Sequence, residues 1–355
     1  MMRRREFVSL AAAGAFAVPS LARHLGAATT AAPSARLTEY EFLRRIPPER
    51  LRALIGDRPD ANGLSGSNRL AGRWLEAGPQ RGSCRGVIAG VVLDDLALAE
   101  DAWRGIEVAF AHQRDDGGFV ANLRPNGKSA RPFGAAVETA FFFLQEMGRA
   151  VLVIRQSPHE PVFRERLAAL EPKLRRAGRF ILSGYDTIID NSSKAVNRIF
   201  IAAKAFGLCG RVLRDEEMLA AAHRLVAHGL TLRDAQGIFI ENGGRDSSYN
   251  AVSILFGQVL ALHVPIPEFE AALPAAVAWQ ISRIRPDGSI EVEGNSRTGV
   301  GKEKSYFGDP KTVNHGEIVQ ALTLYGIVHG DRAALAAADR VFAFWKSGAP
   351  AKVAG

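Results

Sequence analysis

The sequence predicts an all-α protein built from repeated helical hairpins. From about residue 83 onward, apolar residues recur at the spacing of a helix face, and the segments with this pattern are separated by short turns rich in glycine and aspartate. Extended segments are confined to short pieces such as residues 289–292. The hydrophobic content of 47% is sufficient for a large core, which excludes a disordered chain.

The helical segments follow one another along most of the chain. They cover residues 84–112, 133–153, 163–183, 192–208, 216–230, 249–262, 268–284, 315–329 and 332–345. The segment 192–208 is expected to be closed by Gly207 and Gly210, because glycine favours helix ends. Residues 23–82 are rich in proline, arginine and glycine, so we expect an irregular N-terminal wrap with one or two helices.

A loose internal repeat joins these helices. A helix, a glycine turn and an extended apolar residue recur in that order at residues 116–119, 236–239 and 287–290, with irregular separations. Hairpins that cannot each bury their apolar face become stable when they stack. A stack that curls into a ring has no exposed end. The expected architecture is therefore an α/α toroid, an incomplete barrel of helical hairpins, over residues 83–348, with an open helical repeat as the alternative.

The pattern of helices and glycine turns resembles that of the α/α-toroid enzymes. This group includes many polysaccharide lyases, several glycoside hydrolases and the terpene cyclases. The resemblance covers most of the chain after residue 83 and implies a cleft at one end of the ring, where the turns of different hairpins converge. We therefore expect the functional side chains at helix starts, beside the glycine-rich loops.

The first residues have the pattern of an export signal. Arg3, Arg4 and Arg5 precede an apolar stretch over residues 10–18, and residues 20–22 include small side chains suited to cleavage. The segment resembles a twin-arginine signal, with an ordinary secretory signal as the alternative. We therefore expect residues 1–22 to be a signal peptide and the mature protein to be periplasmic or secreted.

The formal net charge of +8 favours an acidic partner. The basic residues are scattered and no basic amphipathic helix stands out, so neither nucleic acid nor a membrane surface is the expected partner. No apolar run beyond the N-terminus is long enough for stable insertion into a membrane. An acidic polysaccharide agrees with both the export signal and the sign of the charge.

No metal or other cofactor is expected. The histidines are dispersed and form no HxH or HExxH pair, and no cysteine pair has zinc-ligand spacing. Cys84 and Cys209 lie at apolar helix ends, which predicts buried thiols. A bond between them is the alternative in an oxidising compartment.

The first candidate site segment is residues 190–198. Asn191 and Ser192 are natural helix N-caps. Asn197 and Arg198 lie inside an apolar helical pattern, where polar side chains are either satisfied internally or face a cavity. We therefore take Asn197 and Arg198 as candidate site residues.

The second segment, residues 239–250, has the densest cluster of reactive side chains. The pair Gly243 and Gly244 allows a tight bend just before a helix. Tyr249 projects from the first turn of that helix and is a candidate catalytic residue. The candidate substrate-binding residues of this segment are Glu241, Asn242, Arg245 and Asp246.

The third segment is a long polar loop between residues 291 and 317. Loops of this kind with aromatic residues commonly contact substrate as a lid or rim, which makes Lys304 and Tyr306 candidate substrate contacts. His315 is at a helix start, where the positive end of the helix dipole favours a neutral imidazole. A neutral histidine is fit to act as a base.

Eliminative cleavage of a polyuronate needs three groups. One neutralises the uronate carboxylate, which acidifies the neighbouring C–H; a base then removes that proton and an acid protonates the leaving oxygen. An amide or guanidinium suits the first task, and phenol and imidazole suit the others. The three segments above contain all of these groups.

Alginate, glycosaminoglycan and glucuronan lyases with a toroid fold commonly carry an asparagine and, on a later hairpin, a tyrosine, and this chain resembles them in Asn197 and Tyr249. By this resemblance, Asn197 would neutralise the uronate, Tyr249 would be base and acid, and His315 an assisting base. Arg198 and Arg245 would hold carboxylates. Many such lyases have histidine directly after the asparagine, where this chain has Arg198. The base therefore stays open between Tyr249 and His315.

The main alternative is a glycoside hydrolase on the same ring. Inverting hydrolysis needs two carboxyl groups that flank the scissile bond with room for water. The sequence offers many such groups without pairing them. They are Asp116, Glu138, Glu241, Asp246, Glu293, Glu303 and Glu317.

Two further classes are weaker alternatives. A terpene cyclase needs an aspartate-rich box, and Asp94-Asp95 lacks its third acid. A polysaccharide-binding protein without catalysis would need only aromatic side chains on which sugars stack. The candidates for this role are Trp74, Trp103, Trp279 and Tyr306.

Overall fold

A computed structural model describes residues 37–122, 132–299, 301–304, 308 and 310–348. These residues form fourteen α-helices and one short β-hairpin, which confirms the prediction of an all-α protein. None of the described helices combines the length and apolar character needed to span a membrane. The expected signal peptide and Tyr306 lie outside the described residues.

The helices carry the following bounds. They are α1 (Glu39–Leu43), α2 (Pro48–Ile55), α3 (Gly66–Ala71), α4 (Arg81–Val92), α5 (Leu96–Ala111), α6 (Pro132–Gln156), α7 (Glu160–Ser183), α8 (Tyr185–Ser192), α9 (Val196–Leu213), α10 (Glu216–Thr231), α11 (Ser247–His263), α12 (Pro267–Ser282), α13 (His315–His329) and α14 (Arg332–Ser347). A 3₁₀ turn, Gly78–Gln80, precedes α4. The strands β1 (Ile240–Glu241) and β2 (Gly244–Arg245) pair antiparallel.

The long helices pack as consecutive pairs. The pairs are α4 with α5, α6 with α7, α9 with α10, α11 with α12, and α13 with α14. The first helix of each pair also packs on the first helix of the next, and α2 contacts both α4 and α13. Helices α9 and α11 are buried almost all round, whereas α10 and α12 bury one face. The first helices of the pairs therefore supply most of the core.

The three glycine turns of the internal repeat have one common geometry. Gly117, Gly237 and Gly288 all have positive φ, between 83° and 88°, which favours glycine. A Cβ at Gly117 or Gly288 would also lie closer than 3.0 Å to the backbone of α7 or α14, respectively. Each turn thus packs against the second helix of a later pair. The prediction that these stretches are turns is confirmed.

The single helix predicted over residues 84–112 is wrong, because two helices occupy that stretch. Helix α4 ends at Val92, and Asp94 has a left-handed φ of 56°. The Asp95 side chain then accepts the N–H of Leu98 and caps α5. The two helices pack on each other and both bury apolar faces, so the apolar periodicity continues across the break and hides it.

The predicted helix end at Gly207 and Gly210 is also wrong. Helix α9 continues to Leu213, and the next residue, Arg214, caps the helix with a left-handed φ of 53°. A Cβ at Gly207 would lie closer than 3.0 Å to the Leu260 side chain of α11. The glycine is therefore required by the close approach of two helices and not by a turn.

The remaining differences are local. Residues 193–195 separate α8 from α9, so Ser192 ends one helix and does not begin the next. Residues 289–292 do not form a strand; Ile290 makes only an isolated β-bridge with Ile284. Residues 37–82 contain three short helices, where one or two were expected for the whole wrap.

Replacing Gly257 of α11 with alanine is expected to lower the free energy of unfolding by about 1–3 kcal/mol. A Cβ there would lie closer than 3.0 Å to the ring of Phe269, which is fully buried and has no room to move. Urea unfolding followed by circular dichroism measures the change. Gly316→Ala in α13 is the control, because its nearest neighbour would be 3.8 Å away; we expect no loss, or a gain of up to about 1 kcal/mol. Equal losses in both variants would contradict the packing explanation.

Candidate active site

A cleft of about 360 Å³ contains two of the three predicted catalytic side chains. Asn197 at the start of α9 and Tyr249 at the start of α11 both line it, together with Arg198. Five basic and three acidic side chains line the cleft, which gives its wall an excess of positive charge. The basic ones are Arg81, Arg85, Arg198, Arg297 and Lys311, and the acidic ones are Glu76, Glu138 and Glu317.

A carboxylate from β1 fixes the start of α9. The residue before the helix, Ala195, has no capping side chain, and Glu241 Oε1 instead accepts the backbone N–H of Asn197 at 2.6 Å. Glu241 is fully buried. Burial raises the pKa of Glu241 to about 7, although the N–H of Asn197 and the charge of Arg297 act in the opposite direction. Glu241 therefore holds Asn197 in place from behind the cleft wall.

Arg297 connects the groups around Tyr249. Its Nη1 donates to Glu241 Oε2 at 2.7 Å and to Asn197 Oδ1 at 3.3 Å. Its Nε and Nη2 donate to the two oxygens of Glu303 at 2.9 and 3.1 Å. The guanidinium lies 3.9 Å from the ring centre of Tyr249. Burial by itself would lower the pKa of Arg297, but the bond to Glu303 and the charge of Glu241 raise it above its ordinary value.

Asp246 joins the loop of Arg297 to the start of α11. One carboxylate oxygen accepts the backbone N–H groups of Ser248 and Tyr249 and so caps the helix. The other accepts the N–H groups of Arg297 and Thr298 at 2.9 and 2.8 Å. Asp246 is fully buried and does not line the cleft. Its described contacts position Tyr249 and Arg297.

The structure places the other predicted substrate contacts outside the cleft lining. Arg245 donates to Asp234 Oδ2 at 2.6 Å and lies 5.8 Å from the ring centre of Trp279. Asn242 donates to Glu303 Oε1 at 2.7 Å. Lys304 is exposed, in an isolated bridge with Pro310.

His315 lies behind the rim of the cleft. It is the first residue of α13, and its ring centre is 5.8 Å from that of Phe344. Burial lowers the pKa of His315 from its ordinary value. Its neighbours Asn314 and Glu317 line the cleft, but His315 does not. The geometry therefore brings Asn197 and Tyr249 together without His315.

Arg297, at the centre of this arrangement, was not among the site residues predicted from the sequence. Arg297 belongs to the polar loop of residues 291–317, but only Lys304, Tyr306 and His315 of that loop were predicted as site residues. A polar run between Gly294 and Gly299 was the available signal. Arg81, Arg85 and Lys311 had no distinctive sequence context.

A network of buried charges lies directly beneath the cleft. Lys204 of α9 is fully buried and donates from Nζ to Gln145 at 2.6 Å and to Glu146 at 3.0 Å. Glu146 also lies 3.3 Å from Arg149, which binds Glu39 at 2.6 Å. Gln145 lines the cleft, so Lys204 supports its floor.

Burial lowers the pKa of Lys204 from its ordinary value of 10.5 to about 7. The folded protein therefore releases the Lys204 proton more readily than the unfolded chain, and this group adds stability as pH rises from about 7 towards 10.5. Glu146 keeps Arg149 as a positive partner when Lys204 is neutral.

As pH rises, we accordingly expect the free energy of unfolding of the parent chain to increase relative to that of the Lys204→Met variant. The slope should reach up to about 1.4 kcal/mol per pH unit above about pH 7. Urea unfolding at a series of pH values measures it. Lys173→Met, at an exposed site, should give a flat difference. A flat difference for Lys204→Met as well would show that the buried lysine stays charged throughout.

Neither cysteine lines the cleft. Cys84 and Cys209 are free and buried, and burial raises the pKa of Cys209 to about 12. In the part of the chain that the structure describes, no three His, Cys, Asp or Glu side chains are grouped to hold a metal ion.

No family model, curated protein or solved structure matches the chain.

Proposed function

We propose that the protein is an exported polysaccharide lyase that cleaves an acidic, uronate-containing polysaccharide by β-elimination. The observation that carries this proposal is the common cleft of Asn197 and Tyr249, with positive charge along its wall. We further propose that the consecutive helix pairs form an α/α toroid, in which α2 bridges α4 and α13. The cleft then opens at the end of the ring where the first helices begin.

Asn197 is proposed to neutralise the uronate carboxylate. Its Oδ1 accepts a hydrogen bond from Arg297, which leaves Nδ2–H as the donor for a ligand. A hydrogen bond to that carboxylate disperses the negative charge that develops when the neighbouring C–H loses its proton. Glu241 holds the backbone N–H of Asn197 and Arg297 holds its side-chain Oδ1, so this donor needs no rearrangement when substrate binds.

Tyr249 is proposed to be both base and acid. Arg297 lies 3.9 Å and Lys311 Nζ 5.2 Å from its ring centre, and these cations stabilise negative charge on the ring. The phenolate oxygen takes the proton next to the uronate carboxylate, and the phenol then returns a proton to the leaving glycosidic oxygen. Because His315 does not line the cleft, we assign this role to Tyr249.

A glycoside hydrolase is the second candidate, because carboxylates also line the cleft. Glu138 and Glu317 would be its reacting pair. Each lies near an arginine, Glu138 at 3.6 Å from Arg198 and Glu317 at 3.9 Å from Arg85. These ion pairs suit the binding of an anionic ligand as well as they suit hydrolysis, so a direct assay is required.

A substrate panel of alginate, glucuronan, pectate and glycosaminoglycans tests the proposal. Elimination produces an unsaturated uronate with strong ultraviolet absorbance together with new reducing ends, and we expect both signals with at least one polymer. Reducing ends without the absorbance would favour the hydrolase. Binding without either product would favour a polysaccharide-binding protein, and no binding to any acidic polymer would contradict the proposal.

A further inference from the structure

Arg81 and Arg85 form a pair of like charges inside the cleft. They lie one helical turn apart on α4, and both side chains line the cleft. Residues at this spacing are neighbours on a helix surface, so their charges repel. Arg81 Nη1 donates to the carbonyl of Gly78 at 3.0 Å, and its guanidinium lies 5.5 Å from the ring centre of Phe142. These contacts hold the Arg81 charge in place.

Arg81 differs from the other cations of the cleft in its partners. The others pair with carboxylates: Arg297 with Glu241 and Glu303, Lys311 with Glu303, Arg198 with Glu138, and Arg85 with Glu146 and Glu317. Arg81 forms no ion pair with a carboxylate among the described residues. The Nε of Arg85 is buried and lies 3.4 Å from Glu146 Oε1, so it faces that carboxylate. Arg81, whose Nη1 donates to the Gly78 carbonyl, thus retains donor capacity for a ligand.

The charge of Arg81 is costly without an anion, because Arg85 lies one helical turn away and no described carboxylate forms an ion pair with Arg81. Burial lowers the pKa of Arg81, and the charge of Arg85 lowers it further, which outweighs the opposing effects of Glu317, Glu146 and Glu76. An anion between the two guanidinium groups would replace repulsion by attraction. The planar fork of arginine matches the oxygen atoms of carboxylate and sulfate groups.

We propose that Arg81 and Arg85 form an anion subsite, which binds a carboxylate or sulfate group of the ligand away from the sugar unit at Asn197 and Tyr249. The inference rests on the proposed function in one respect, namely that the ligand is an acidic saccharide. The arginines belong to α4, whereas Asn197 and Tyr249 belong to α9 and α11. A ligand that reaches both places carries acidic groups on more than one sugar unit.

Calorimetric binding of two probes tests the subsite. A short oligogalacturonate carries carboxylates only, and a heparin oligosaccharide of similar length also carries sulfates. Binding is measured at constant ionic strength in the Tyr249→Phe background, so that cleavage does not interfere. Adding Arg81→Gln is expected to weaken binding of at least one probe by about tenfold to a hundredfold. Arg81→Lys, which keeps the charge without the fork, should give an intermediate loss.

Arg73→Gln is the matched control, because it removes a positive charge from an exposed site that does not line the cleft. It should change binding by less than about twofold, as expected for a screened surface charge. A loss confined to heparin assigns the subsite to sulfate, and a loss with both probes assigns it to carboxylate. Unchanged binding in Arg81→Gln, an equal loss in Arg73→Gln, or no binding of either probe overturns the inference.

The same measurements separate this inference from the proposed function. Probe binding that depends on Arg81, in a chain that cleaves no polymer, would refute the lyase and keep the subsite. Cleavage by the parent chain together with unchanged binding in Arg81→Gln would refute the subsite and keep the lyase.

Discussion

Replacing Tyr249 with phenylalanine is expected to lower the rate of polysaccharide cleavage by about 10²–10⁴-fold, the usual contribution of one acid–base group. The substitution removes only the hydroxyl that would carry the proton. The aromatic ring stays beneath Arg297, so the cation–π contact at 3.9 Å and the packing of the helix start are retained. The melting temperature and the affinity for substrate should therefore change little, and kcat should carry nearly all of the loss.

Tyr325→Phe is the control for this substitution. Tyr325 belongs to α13, lies 4.4 Å from His329 between ring centres, and does not line the cleft. It should leave cleavage unaffected. If Tyr249→Phe retained most of the activity, tyrosine would not be the base. His315→Ala would then be the next substitution to examine, because the sequence left these two residues as alternatives.

Replacing Arg297 with methionine is expected to lower the free energy of unfolding by about 3–5 kcal/mol and to abolish cleavage. The side chain is only 4% exposed and binds both Glu241 and Glu303. Its loss leaves the Glu241 carboxylate buried without a positive partner. Asn197 and Tyr249 lose the group that both contact. Chemical unfolding and the cleavage assay measure the two effects separately.

A second substitution tests the cause of that instability. Glu241→Gln removes the buried charge while its side-chain oxygen still accepts the N–H of Asn197. Combined with Arg297→Met, it should recover about 0.5–3 kcal/mol of stability but no activity. Arg245→Met, which breaks a partly exposed ion pair with Asp234, should cost at most about 1 kcal/mol. A double variant no more stable than Arg297→Met would mean that the buried charge is not responsible.

Local pattern was sufficient for most helices of the fold. Helices α10 and α14 begin after Asp215 and Asp331, whose side chains cap them, and their apolar faces repeat at helical spacing. Both were predicted to within two residues of their bounds. The errors arose where one sequence feature is compatible with two different structures. In the sequence, Gly207 indicates a helix end. In the structure it lies inside α9, where the approach of Leu260 from α11 leaves no room for a larger side chain.

The candidate site likewise contains residues that the sequence indicated and a residue that only the structure revealed. Asn197 was recognisable as a polar side chain inside an apolar helical pattern, and Tyr249 as a reactive side chain in the first turn of a helix. Arg297 was not, because its importance comes from contacts with Asn197 and Glu241, which are distant in the sequence. Glu241 and Asp246 were noticed as reactive side chains, whereas their described contacts are to the protein groups that hold the site.

The sequence by itself determined the all-α class, the glycine turns and the helix start that carries Tyr249, because periodicity, caps and turns are properties of neighbouring residues. Only the tertiary structure decided which of the charged side chains share the cleft. It places Arg81, Arg85 and Arg297 there and leaves Arg245 and His315 outside its lining. The physical reason is that burial and ion pairing depend on distances between helices, and these distances follow from the packing of the whole chain.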